Sequence, residues 1–134
     1  MSDKFFVYGT LKKGGYFAKQ FDELRTNSKV AKLKGFDLFK IGGGNNSWFP
    51  GIIEGKGTVI GELHEYDKEH IKRVFKHMDA IEGYSEKHPV DSMYRREKAV
   101  VELEDGSKEE ANIYIFNSKI PKNYPQVKSG NWPV

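Results

Sequence analysis

Hydrophobic and polar positions along this chain alternate in short runs of period two, with one longer run close to period 3.6. Residues 4–8, KFFVY, are almost all β-formers, which predicts a strand buried on both faces. Residues 16–24, YFAKQFDEL, place Phe17, Phe21 and Leu24 at helical spacing and predict a short helix. Residues 28–40, SKVAKLKGFDLFK, set Val30 opposite the lysines and Leu38 on one face with Phe36, a strand broken near Gly35. The stretch 41–51, IGGGNNSWFPG, reads as a glycine and asparagine loop ending on an aromatic and a proline. Residues 58–66, TVIGELHEY, form another strand.

The clearest helix follows. Asp67 is placed as its N-cap with Glu69 in the first turn. Ile71, Val74, Phe75, Met78 and Ile81 then recur at three- and four-residue steps, one apolar stripe. Gly83 is a natural stop. Strands at 94–104 and 109–116 flank Glu104-Asp105-Gly106-Ser107, and Asp-Gly is a strong hairpin signal. No repeat, linker or low-complexity block interrupts residues 1–134, so one α+β domain is expected. Its expected architecture is a small, mostly antiparallel sheet or barrel with two flanking helices.

Composition narrows the function classes. The chain has 134 residues, 37% of them apolar and 31% charged, with 9 Phe, 7 Tyr and 2 Trp to supply buried area. Cysteine is absent, which excludes disulfides, thiolate metal sites and thiol nucleophiles. No apolar run approaches the roughly 20 residues of a membrane span, and MSDKFF lacks the shape of a signal peptide. These features predict a cytoplasmic protein without a membrane partner. The net charge of +3 comes from dispersed lysines. A basic nucleic-acid binder using Lys29, Lys32, Lys34 and Lys40 is the rival reading, but scattered lysine fits a solvated face and no nucleic-acid partner is expected.

Among candidate chemistries, Gly9 to Gly14 has the gap of a phosphate loop, but Gly15-Tyr16 stands where Lys-Ser/Thr is required. Gly42-Gly43-Gly44 has no dinucleotide spacing. His70 and His77 lie two helical turns apart, about 10.5 Å of rise, too far to share a metal. No HExxH or GxSxG occurs. No metal or cofactor is expected. Glu82 is different, because it stands beside the apolar stripe at a helix C-terminus, where the dipole disfavours negative charge. Burial there would raise its pKa and suit it to act as a general base near neutral pH. Equally, a carboxylate at that position can simply face water.

Taken together, FVYGTLKKG after the first strand, GEL at 61–63, DAIEGY at 79–84, YRR at 94–96 and SGNW at 129–132 resemble the γ-glutamylcyclotransferase-like family. The resemblance implies a barrel-like fold with a cavity at one end and release of 5-oxoproline from γ-glutamyl compounds. By the same resemblance Glu82 matches the catalytic glutamate, and Tyr8, Gly9, Thr10 and Leu11 match the loop that holds the γ-glutamyl group. The wording of the loop and the short length look most like the γ-glutamylamine cyclotransferase branch, which cuts the γ-glutamyl-ε-lysine isopeptide. GGGNNSW at 42–48 and SEKHPVDS at 85–92 depart from the pattern, and with them the preference for a leaving amine. On this reading Gly9 is bare so that substrate can lie against the main chain. A binding module for the same ligands, without turnover, is the alternative from another class.

Overall fold

The structure, a computed structural model, describes residues 4–12, 18–42, 48–121 and 124–133. Its strands are β1 (Lys4–Val7), β2 (Arg25–Gly42), β3 (Trp48–Tyr66), β4 (Tyr94–Leu103) and β5 (Lys108–Phe116), and its α-helix is α1 (Ile71–Glu82). The strands form a closed barrel in the order β1-β3-β2-β4-β5. Neighbours pair antiparallel except where β1 meets β5 at Phe5 and Asn112, a parallel contact that closes the ring. Closure removes the unpaired strand edges that an open sheet exposes.

β1 is buried on both faces, as its β-forming run implies. Phe6 and Tyr8 join Leu33, Ile52, Val59, Val101 and Ile113 in the barrel core. Phe5 and Val7 point the other way, into a second cluster with Val74, Phe75 and Met78 of α1. The expected helical stripe is therefore the face that α1 lays on the barrel, with Ile71 and Ile81 packed at its edges. At its start the Asp67 carboxylate accepts from Glu69 N–H at 3.0 Å, capping a 3-10 turn (Lys68–His70) that leads into α1. At its end Gly83 takes φ 65°, the left-handed cap that glycine adopts without a Cβ penalty.

Four expectations change. Among the described residues α1 is the one α-helix. The first expected helix is only a 3-10 turn (Ala18–Phe21), because β2 already begins at Arg25 and leaves too few residues for a stable α-helix. Its Tyr16 and Phe17 lie outside the described residues, as do Gly43 to Ser47 of the expected loop. β2 does not break at Gly35; it runs through, with a register shift between Lys34 and Phe36 and φ 89° at Gly35. That bulge changes which parity faces inward, from Ala31 and Leu33 before it to Phe36 and Leu38 after it. Val30 accordingly shares the outer face with Lys32 and Lys34, at 45% exposure. Finally, β3 starts at Trp48 rather than residue 58, turning the expected loop into the far half of a long hairpin.

The segment after β5 is tied across the barrel. Val127 N–H donates to Leu38 O at 2.7 Å, and Ile60 N–H donates to Gly130 O at 2.7 Å. A Cβ on Gly130 would sit 2.0 Å from the Thr58 carbonyl oxygen, so the SGNW motif needs its glycine for this close approach. No described helix is long and apolar enough to cross a membrane.

Candidate active site

One rim of the barrel gathers the end of β1, the first residues of β3 and β4, the last of β5 and the C-terminal turn of α1. Between them lies a cavity of about 130 Å³, lined by Tyr8, Gly9, Thr10, Leu11, Phe49, Pro50, Glu82, Met93, Tyr94 and Tyr114 among others. All five residues singled out from the sequence, Tyr8, Gly9, Thr10, Leu11 and Glu82, are in its wall. Their meeting follows from the packing of α1 on β1, which sets the last turn of the helix beside the loop that follows the strand.

Glu82 is half-buried and is the cavity's one charged lining residue among those described. Burial alone pushes its carboxyl up from 4.5 to about 8; no described cation or donor offsets the lost hydration. Three tyrosines surround it. Tyr8, Tyr94 and Tyr114 are all raised, first by their own burial and then in part by the Glu82 charge. Their hydroxyls are held in donor roles. Tyr8 donates to the Tyr114 carbonyl at 2.7 Å, Tyr94 donates to the Pro50 carbonyl, and Tyr114 donates to Asp79 at 2.6 Å.

The loop after β1 turns tightly, with Lys12 N–H donating to Gly9 O at 3.0 Å. The Thr10 and Leu11 N–H groups make no backbone hydrogen bond with another described residue. Both residues line the cavity. The buried Lys12 ammonium reaches Asn131 Oδ1 at 2.9 Å and the Trp132 carbonyl, locking the loop to the SGNW segment.

Gly9 departs from the expectation. It has no positive φ, and an added Cβ would lie 2.3 Å from Pro50 Cγ. Its missing side chain first makes room for Pro50, a neighbour in the same cavity wall, and not for open substrate space.

Sequence reasoning missed Phe49, Pro50, Met93 and Tyr114 as lining residues. Tyr94 was quoted only as the start of YRR. Pro50 and Phe49 sat inside a presumed loop, and Met93 in a segment without period. The alternation of β5 carried the one available signal, for Tyr114.

Among solved structures, an uncharacterized protein from Pyrococcus horikoshii is similar over 97% of this chain and 89% of its own, with 24% identity and a TM-score of 0.60. A protein from Arabidopsis thaliana solved in solution matches 90% of this chain and 72% of its own, at 24% identity and TM-score 0.65. A third, a gamma-glutamyl cyclotransferase, matches 92% of this chain and 68% of its own at 19% identity and TM-score 0.56. These likenesses are of fold. A search of curated proteins finds no match. The family model described as "Gamma-glutamyl cyclotransferase, AIG2-like" matches residues 5–134, and the chain belongs to that family.

Proposed function

We propose that this protein is a cyclotransferase that releases 5-oxoproline from γ-glutamyl amines, with Glu82 as the general base. The carrying observation is a raised carboxylate, without a partner among the described residues, in the same small cavity as Thr10 and Leu11, whose N–H groups bond no described backbone carbonyl. The reaction is intramolecular, since the substrate's α-amine attacks its own γ-carbonyl. The nucleophile is tethered, so the protein needs mainly to hold one conformer and stabilise charge.

In this mechanism the ionised Glu82 takes a proton from the substrate ammonium, which frees the nitrogen lone pair. The nitrogen forms its bond to the γ-carbon, and the carbonyl electrons move to oxygen. Thr10 and Leu11 N–H donate to that oxyanion; a donor of this type is worth on the order of 3–4 kcal/mol. Collapse expels the amine as Glu82 returns its proton to the leaving nitrogen. The second proton, released when the attacking nitrogen becomes a lactam, follows the same route. No cofactor or metal takes part in this scheme.

Cavity size and chemistry support the amine branch. A volume of about 130 Å³ is close to the roughly 150 Å³ that holds one benzene. It takes a γ-glutamyl group and leaves the departing amine at the mouth. The described wall includes Phe49, Pro50 and Met93, with Met93 52% exposed, and among the described residues it presents no cation for a leaving-group carboxylate. An alkyl stem such as that of an isopeptide-linked lysine suits this surface.

The test is incubation with γ-glutamyl alkylamines, γ-glutamyl-ε-lysine and γ-glutamyl amino acids, with 5-oxoproline measured by mass spectrometry. Product from the first two in preference to the third is expected. Binding of any of them without product returns the protein to the class of binding modules.

A further inference from the structure

DAIEGY and YRR lie far apart in sequence yet meet through one side chain. Arg96 on β4 donates to both carboxylate oxygens of Asp79 on α1, at 2.7 Å to Oδ1. The Tyr114 hydroxyl on β5 donates to the same Asp79 oxygen at 2.6 Å. Neither Asp79 nor Arg96 is a surface ion pair of the usual weak kind, because their side chains are only 16% and 14% exposed. The guanidinium also lies 4.4 Å from the Phe75 ring centroid and 5.3 Å from that of Tyr84, which fixes its plane.

Asp79 does not line the cavity; it is one helical turn before Glu82, about 4.5 Å along the axis. Its backbone serves the same turn, for its carbonyl accepts from Tyr84 N–H at 2.8 Å just beyond the Gly83 cap. Tyr114 extends the link, since its own carbonyl accepts from the Tyr8 hydroxyl, immediately before Gly9. A continuous bonded path thus runs from the helix that carries Glu82 to the loop that carries the N–H donors.

We propose that Asp79 is a positioning residue. Bonded at once to Arg96 and Tyr114, it fixes the last turn of α1, and with it the Glu82 carboxylate, against the Tyr8–Leu11 loop. The assignment rests on the reading of Glu82 as the base. A base must stay within hydrogen-bond reach of the proton it takes, and a displacement of about 1 Å costs on the order of 100-fold in rate.

Two variants test this. Asp79→Asn keeps an acceptor for Tyr114 but removes the charge that ties Arg96 to α1, leaving Arg96 its second ion pair, with Glu86. Tyr114→Phe leaves the Asp79–Arg96 pair intact and removes only the link to β5. Each is expected to lower kcat at least tenfold while KM stays within about threefold. Combined, they should cost much less than the product of the single losses, because both cut one path. A substrate-free measurement runs beside the kinetics: the titration of the Glu82 carboxyl followed by ¹³C NMR. The titratable groups facing Glu82 are Tyr8, Tyr94 and Tyr114, all of them raised above their ordinary value by burial. Asp79→Asn should therefore move the Glu82 midpoint down, as water reaches a looser turn and relieves the burial that raises it.

Folded variants with unchanged kcat and an unchanged Glu82 titration overturn the proposal. So does a loss confined to melting temperature. If Asp79→Asn fails to fold, Tyr114→Phe decides by the same two readings. If the wild-type protein turns over no γ-glutamyl compound, the proposed function falls, while the titration still reports whether Asp79 holds Glu82 in place.

Discussion

Glu82→Gln separates the cost of the buried carboxyl from its chemical use. A carboxyl whose folded value lies above its unfolded value binds its proton more tightly in the folded state. Its stabilising contribution is fully present below 4.5, the ordinary value, and is lost as pH rises through about 8. The rise from 4.5 to about 8 corresponds to on the order of 4–5 kcal/mol across that window. That is a large share of the 5–15 kcal/mol by which a domain is typically stable. Glutamine mimics the protonated acid at every pH. The variant should therefore match the wild type near pH 4.5 and exceed it progressively, by about 1.4 kcal/mol per pH unit at most, until pH 8. Urea unfolding of both proteins at four values between pH 5 and pH 8 reads this difference directly. Other titrating groups are common to both and cancel. The same substitution should lower turnover by the 10²–10⁴ typical of a lost general base, and wild-type kcat/KM should rise with pH up to about 8. Parallel stability curves would refute the buried carboxyl. Near-normal turnover in Glu82→Gln would refute its use as the base.

Gly9→Ala should lower the melting temperature by an over-packing cost of about 1–3 kcal/mol, since its Cβ falls 2.3 Å from Pro50 Cγ. Pro50→Ala in the same chain should restore much of that loss, and a melting curve unmoved by Gly9→Ala would contradict the packing. Met93→Ala should raise KM for a γ-glutamyl alkylamine about fivefold, roughly 1 kcal/mol of lost apolar contact, with kcat unchanged; equal KM values remove Met93 from the leaving-group surface. Activity should survive prolonged dialysis against a strong chelator. Asp67, Glu69 and His70 bring ligand atoms within 4.8 Å of one another, but at the opposite end of α1 from Glu82. Loss of rate reversed by zinc or manganese would overturn the metal-free scheme.

Local pattern carried the parts of this fold that depend on one segment at a time. The α1 stripe, its Gly83 stop and the Asp105-Gly106 hairpin each rest on residues a few positions apart, and each stands in the structure. The first half of β3 was illegible for a physical reason. Gly51, Gly55 and Gly57, with Pro50, look like loop punctuation. In the barrel they are strand residues made small by what lies over them. A Cβ on Gly55 would be 2.1 Å from Asp37 Oδ2, and one on Gly51 would be 2.9 Å from Ile41 Cγ1. Glycine here answers to a partner on the neighbouring strand, Ile41 for Gly51 and Asp37 for Gly55, which short-range periodicity does not register. Val30 has the parity of Lys32 and Lys34 and faces out with them, while the bulge at Gly35 turns Phe36 and Leu38, of the same parity, inward.

Neither the YGTL motif nor the DAIEG motif is informative alone, and the structure gives the reason. Tyr8 to Leu11 can offer N–H donors but no proton acceptor of sufficient basicity. Glu82 offers the acceptor and nothing to hold an oxyanion. Only the packing of Val74, Phe75 and Met78 on Phe5 and Val7 brings the two into one cavity. That contact is ordinary apolar burial, tolerant of many side chains. The angle of the last turn needs more, because burial is non-directional and a helix can slide on an apolar face. Directional bonds at the end of α1 supply what the stripe cannot. This is why Asp79, Arg96 and Tyr114, residues with no place in the cavity's acid–base chemistry, are the ones on which the geometry of Glu82 depends.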